Sequence, residues 1–185
     1  ANLNAAACVS DMSDCDLVIE AVVENLDVKR KVFATLEPLL RDDAILASNT
    51  STIPITSMAE NLEHPERFCG IHFFNPVRKM KLVEVIRGEK TSDQTIATAV
   101  QYAKTISKSP IVVNDGPGFL VNRLLMPFMN EALLLLQEGV PIDAIERAAK
   151  KFGMPMGPFT LYDVVGLDTA TYAGKVLCDA FPDRF

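Results

Sequence analysis

Two residues stand where acid–base chemistry is possible. His72 lies within Gly70-Ile-His-Phe-Phe-Asn-Pro76, and Glu84 lies within Leu82-Val-Glu-Val-Ile86. Each stretch reads as a strand of apolar and β-branched residues interrupted by one polar group. Burying a lone imidazole and a lone carboxylate in neighbouring strands is costly unless the two pair. A carboxylate paired with an imidazole fixes its tautomer and stabilises its protonated form, and a histidine so placed contributes about 10²- to 10⁴-fold when it transfers a proton. The plainer readings are a core histidine satisfied by a backbone carbonyl and a glutamate facing water at a sheet edge. Taken together, the two residues favour pairing.

Other polar residues cluster at the ends of expected strands: Glu24-Asn25, Ser48-Asn-Thr-Ser-Thr52 and His72 to Asn75. Ligands of open α/β sheets bind outside the carboxyl ends of the strands, so three such clusters at one edge point to a site. Ser51 also suits the N-cap of a helix beginning near Pro54, a role compatible with ligand contact. Asn122 lies near the start of a long apolar helix, at the edge of its polar arc, as a substrate contact would. His64, in the polar Glu63-His-Pro-Glu66 loop, reads as solvated, and the Leu133–Leu136 run as core or interface.

The elements that must hold these residues follow a βαβ rhythm. Asp16–Val23 reads as a strand buried on both faces, and Asn25 caps a helix running to about Leu40. Ala44–Ala47 reads as a short strand, residues 54–61 as a short helix and Arg67–Phe74 as the strand bearing His72. Beyond Leu82–Ile86, Thr91 and Gln94 fit a capping box for a helix with Ile96, Val100, Ala103 and Ile106 on one face. Ile111–Val113 is the last expected strand. Asp115-Gly-Pro-Gly118 then breaks the pattern, placing a boundary between an α/β domain over 1–114 and a helical domain over 115–185. In the second, Phe119–Glu138 reads as a helix kinked at Pro127. A helix opened by Asp143 and Glu146 ends at Gly153, and residues 159–180 hold one or two more.

The 185 residues are 49% hydrophobic, enough for a sizeable core, and the net charge of −6 argues against a nucleic-acid footprint. No apolar run approaches the roughly eighteen residues that a membrane span needs. Cys8, Cys15, Cys69 and Cys178 have neither metal spacing nor a CxxC motif, so reduced thiols in a cytosolic protein are expected, with no metal site. No signal peptide is apparent, and the start at Ala1 within ordinary domain sequence is what a fragment would show.

These residues together resemble the 3-hydroxyacyl-CoA dehydrogenase family. The resemblance runs through Val18–Asn25, Ala47–Ser51, Gly70–Pro76, Met80–Ile86, Asp115–Arg123, Met154–Phe159 and Val165–Asp168, in order and over almost the whole chain. Pro65–Gly70 and the ending Phe181–Arg184 are most similar to the branch found in multifunctional α-subunits of bacterial fatty-acid oxidation complexes. The resemblance implies an α/β Rossmann-like domain, N-terminally truncated, followed by an all-α C-terminal domain. It implies NAD-dependent oxidation of (S)-3-hydroxyacyl-CoA to 3-oxoacyl-CoA in fatty-acid β-oxidation, with His72 as general base oriented by Glu84. Ser51 and Asn122 would hydrogen-bond the substrate oxygen. Val22, Val23, Glu24, Lys29, Ser51 and Asn75 match positions that contact the NAD cofactor, with Asn49 a weaker candidate. Arg78 and Lys79 form a basic loop that could draw CoA phosphates or simply be solvated.

The family's Gly-rich turn has no match, since this chain contains no GxGxxG. An alternative therefore stands beside the enzyme: a non-catalytic fragment or structural assembly module that does not bind NAD by itself. The resemblance further implies self-association or a homodimer through the helical domain, a bacterial cytoplasmic location, and room for a complex of the parent with a thiolase subunit.

Overall fold

The computed structural model describes residues 3–184. The chain divides after Phe119 into an α/β unit and a helical unit.

The α/β unit is built on a five-stranded sheet: β1 (Leu17–Glu20), β2 (Ile45–Ser48), β3 (Phe68–Phe73), β4 (Leu82–Arg87) and β5 (Ser109–Asn114), adjacent in that order. The pairs β1–β2, β2–β3 and β4–β5 are parallel, whereas β3–β4 is antiparallel. Side chains alternate between the faces of a strand, and over β2, β3 and β4 both faces are covered, whereas β5 leaves Ile111 and Val112 exposed. Phe68 and Ile86 point to one face, where they meet Phe33 and Leu36 of α1 (Leu26–Leu36) and Ile55 and Met58 of α2 (Ile55–Ala59). Ile71, Val83 and Val85 point to the other, against Ile96, Ala99 and Ala103 of α3 (Asp93–Thr105). This two-sided burial explains why the strands read as continuous apolar runs. Gly70 is required by the first layer: a Cβ there would lie 2.7 Å from Ile86 Cδ1 and 2.8 Å from Ile55 Cδ1. Phe33 and Phe68 meet edge to face at 4.7 Å between centroids, a geometry worth about 0.5–1.5 kcal/mol beyond the area buried.

Several helix ends differ from expectation. Asn25 caps α1, accepting from Val28 N–H at 3.1 Å, but the helix stops at Leu36 and a 3₁₀ turn carries the chain over Glu37–Leu39. The first expected strand also stops early, at Glu20, because Val22 N–H turns back to that residue's own carboxylate. The cap of α3 is Ser92, which accepts from Thr95 N–H at 3.2 Å. Thr91 is not the cap because its hydroxyl donates to the Phe68 carbonyl at 2.6 Å and accepts from Gly88 N–H. Nor does Ser51 cap α2: its N-cap is Pro54, and the first amides of the helix go to Asp115 instead. Asp115 Oδ1 accepts from Ile55 N–H at 2.9 Å and Oδ2 from Thr56 N–H at 2.7 Å. A carboxylate remote in sequence thus supplies the anion that a helix N-terminus favours.

The helical unit contains α4 (Val121–Gln137), α5 (Ile142–Phe152), α6 (Pro158–Val165) and α7 (Leu167–Ala180). Pro127 lies inside α4, and Gly153, at φ +118°, closes α5 as its spacing anticipates. Glu146 does not serve the start of its own helix. Its carboxylate reaches across to α6, accepting from Phe159 N–H at 2.8 Å and from the Thr160 hydroxyl at 2.6 Å. Gly157 makes room for it, because a Cβ there would lie 2.2 Å from the Glu146 carboxyl carbon.

Candidate active site

The antiparallel register places His72 of β3 directly opposite Glu84 of β4. Both point to the face that carries Phe68 and Ile86, and both are buried. His72 Nδ1 lies 2.8 Å from Glu84 Oε2. An ionised carboxylate can only accept, so the contact assigns the proton to Nδ1 and leaves Nε2 of the neutral ring as a base. The imidazole is flanked by two rings, Phe74 at 4.4 Å and Phe119 at 5.9 Å between centroids. Phe119 adopts φ +48° although it is not glycine. That conformation costs on the order of 1–3 kcal/mol, and the nearly complete burial of its ring offsets the cost.

Because β1, β2 and β3 are parallel, their carboxyl ends share an edge, and the three expected polar clusters do meet there. A buried ion pair lies behind that edge: Lys29 Nζ is 2.8 Å from Glu20 Oε1, with both side chains almost fully enclosed. The Lys29 ammonium also lies 3.3 Å from Glu24 Oε2 and donates to the Val22 carbonyl at 3.3 Å. Glu20 accepts from Val22 N–H at 2.5 Å and from the Ser48 hydroxyl at 2.7 Å. Glu24 reaches the loop after β2. Its Oε1 accepts from the Thr50 hydroxyl at 2.6 Å, Ser51 N–H at 2.9 Å and Thr52 N–H at 3.1 Å. Burial pushes the Glu24 carboxyl upward, but the Thr50 hydroxyl, the Lys29 charge and the Ser51 amide outweigh it and hold it below the ordinary glutamate range.

The expected site residues therefore occupy distinct places. His72 and Glu84 are in contact, and Ser51 sits on the loop that Glu24 clamps. Val22 and Val23 are exposed on the turn after β1, Asn75 is exposed after β3, and Lys29 is buried beneath the turn. Asn49 joins two strand ends, its Oδ1 accepting from Phe73 N–H at 2.9 Å. Arg78 and Lys79 are exposed, and Asn122 lies on the first turn of α4 in the helical unit. Sequence reasoning missed Glu20, although its signal matches that of Glu84: one carboxylate ending an apolar strand. It also missed Phe119, which carries no polar signal. Of the four thiols, all free, Cys69 lies in the core, where burial pushes it up to about 12.

Val22 and Val23 present partly exposed apolar side chains beside loop polar groups held by Glu24. A glycine-rich phosphate cradle is not found among the described residues.

Known proteins share this fold. The model of the 3-hydroxyacyl-CoA dehydrogenase NAD binding domain matches residues 1–116, and that of the C-terminal domain of the same enzymes matches residues 118–185. The chain is 56% identical over 174 residues to the fatty acid oxidation complex subunit alpha of Psychrobacter arcticus and to that of Pseudomonas aeruginosa. Each match covers 94% of this chain and 24% of the relative, so the chain spans about a quarter of the length of these curated relatives. Among solved structures, the (S)-3-hydroxybutyryl-CoA dehydrogenase PaaH1 from Ralstonia eutropha superposes with a TM-score of 0.91 at 42% identity, covering 96% of this chain and 63% of that one. The 3-hydroxybutyryl-CoA dehydrogenase from Escherichia coli K12 gives 0.89 at 36% identity, covering 95% and 38%. With family models matching on both sides of the Asp115–Gly118 break, the chain belongs to the 3-hydroxyacyl-CoA dehydrogenase family.

Proposed function

We propose that this chain carries the catalytic centre for NAD-dependent oxidation of (S)-3-hydroxyacyl-CoA to 3-oxoacyl-CoA in fatty-acid β-oxidation. The buried His72–Glu84 pair at 2.8 Å carries the reading. His72 Nε2 accepts the proton of the 3-hydroxyl while the C3–H bond breaks and the C3–O bond becomes a carbonyl. Glu84 holds the ring and balances the charge that the imidazole acquires. NAD, when bound, supplies the acceptor for the hydride leaving C3. Val22, Val23, Glu24, Ser51 and Asn75 hold its nicotinamide end, and Lys29 acts through the Val22–Glu24 turn that it orders. Ser51 and Asn122 hydrogen-bond the substrate oxygen.

In the natural protein that carries this sequence, His72→Gln is expected to lower kcat for (S)-3-hydroxybutyryl-CoA by about 10²- to 10⁴-fold. Unimpaired oxidation by the variant overturns the assignment. Calorimetric titration of the chain itself with NADH and acetoacetyl-CoA separates an enzyme from an assembly module of the same fold, for which neither ligand produces heat.

The helical unit supports self-association. It contains a groove of 870 Å³ bordered by Leu133, Ile142 and Leu167, and these and several other large apolar side chains remain exposed. A monomeric mass by light scattering at high concentration counts against this. The relatives' name, subunit alpha of a complex, supports a further partner subunit, which the resemblance makes a thiolase. No helix among the described residues is long and apolar enough to cross a membrane. The four free thiols accord with a bacterial cytoplasmic setting.

A further inference from the structure

We infer that Asn49 is a positioning residue for His72: its carboxamide replaces a missing rung between β2 and β3 and anchors the strand end that carries the imidazole. The inference rests on His72 being the proton acceptor proposed above.

The strand pairing makes the need plain. On one side of β3 the ladder with β4 continues through His72↔Glu84 to Phe73↔Val83. On the other side the ladder with β2 ends at Ser48↔Gly70, three residues short of the end of β3. The stretch from Ile71 to Phe73 thus runs past its backbone partner. Asn49 is the first residue after β2 and is fastened in both directions. Its N–H donates to the Glu20 carbonyl at 2.8 Å, prolonging the β1–β2 ladder. Its Oδ1 accepts from Phe73 N–H at 2.9 Å, one residue beyond His72. An amide N–H requires an acceptor, so the carboxamide oxygen faces Phe73 and the orientation of the group is determined by its partner. Glu20, the other end of the tie, is itself held by Lys29 and Ser48.

The carboxamide therefore connects the His72 strand to a rigid polar lattice rather than to solvent. Proton transfer between oxygen and nitrogen demands tight placement, and a misplacement of about 1 Å costs on the order of 10²-fold. A ligand contact at Asn49 would instead appear chiefly as weakened cofactor binding.

Asn49→Leu keeps the volume and removes the acceptor, whereas Asn49→Asp keeps an acceptor in the same place. The chain has two histidines, so the imidazole ¹⁵N–¹H signals of His64 serve as an internal reference. In the Leu variant the Phe73 amide is expected to exchange about 10-fold faster with solvent, and the His72 signals to move or broaden while those of His64 stay. In the natural protein, kcat for 3-hydroxyacyl-CoA oxidation falls on the order of 10-fold, KM for NAD changes less than twofold, and the Asp variant recovers most of the rate. Unchanged Phe73 exchange and His72 signals in the Leu variant overturn the proposal, as does a rise in KM for NAD with kcat intact. If Asn49→Leu does not fold, Asn49→Ala, which removes the acceptor without adding bulk, is held to the same expectations. A wild-type protein without dehydrogenase activity overturns the functional proposal, and the exchange and imidazole signals still decide whether Asn49 positions His72.

Discussion

The α/β unit and the helical unit each contain a carboxylate that collects donors from a neighbouring segment, and the two differ in their surroundings. Glu24 gathers the Thr50–Thr52 loop over the buried Lys29–Glu20 pair. Glu146 gathers the first turn of α6 at the surface, beside a groove whose apolar side chains remain exposed. The contrast extends to the cores. In the α/β unit β2, β3 and β4 are buried on both faces beneath α1, α2 and α3, although Ile111 and Val112 of the edge strand β5 are exposed. Each of the longer helices α4, α5 and α7, by contrast, leaves large apolar residues facing outward. One unit is organised to hold polar groups still at a strand edge, and the other presents an apolar surface of the kind that a partner covers.

The sharpest way to break the contrast is to uncouple the buried pair. Lys29→Met leaves Glu20 enclosed without its counter-ion, and chemical denaturation is expected to show a loss of about 3–5 kcal/mol. A loss below 1 kcal/mol would mean that water reaches Glu20 and that the lattice behind the edge is not dry. Phe68→Ala, which empties the centre of the layer between β3 and α1, is expected to cost a comparable 3–5 kcal/mol. Equal tolerance of this change and of an exposed helical apolar residue would erase the difference between the units.

A pH series sharpens the comparison of the two clamps. The Glu24 carboxyl lies below its ordinary 4.5 in the folded state. Its contribution is therefore fully present above that value and is lost as pH falls through the lowered folded value. The gap in thermal midpoint between wild type and Glu24→Gln should accordingly narrow below about pH 4.5. The Thr160 hydroxyl also lowers the Glu146 carboxyl, against the opposing effect of burial. That site lies nearer the surface than Glu24, so Glu146→Gln should show a weaker trend that salt reduces further. The same trend in both variants would count against the role of burial.

Smaller effects are expected at the periphery. Asn25→Ala removes the cap of α1 and should cost about 1 kcal/mol by thermal unfolding. Leu167→Asp should alter stability by less than about 0.5 kcal/mol while lowering the mass seen by light scattering. A self-associating mass that survives this change would place the contact elsewhere than the groove beside α7.

The sequence by itself determined the order of elements, the apolar strands and the expectation that His72 and Glu84 pair, because periodicity and the cost of burying a lone charge are local properties. Gly153 as a helix end and Asn25 as a cap were legible for the same reason. The helix ends that differed from expectation depend on distant partners. Asp115 caps α2 from 60 residues away, Thr91 is drawn to the Phe68 carbonyl, and Glu146 serves α6 instead of its own helix. Lys29 reads as an ordinary helix lysine until the fold places Glu20 beside it, and Asn49 as a loop asparagine until β3 outruns β2. Local pattern decides which segments become strands and helices. Only the tertiary structure decides which polar group meets which, because the free energy of a buried hydrogen bond depends on the partner that the packed chain brings to it.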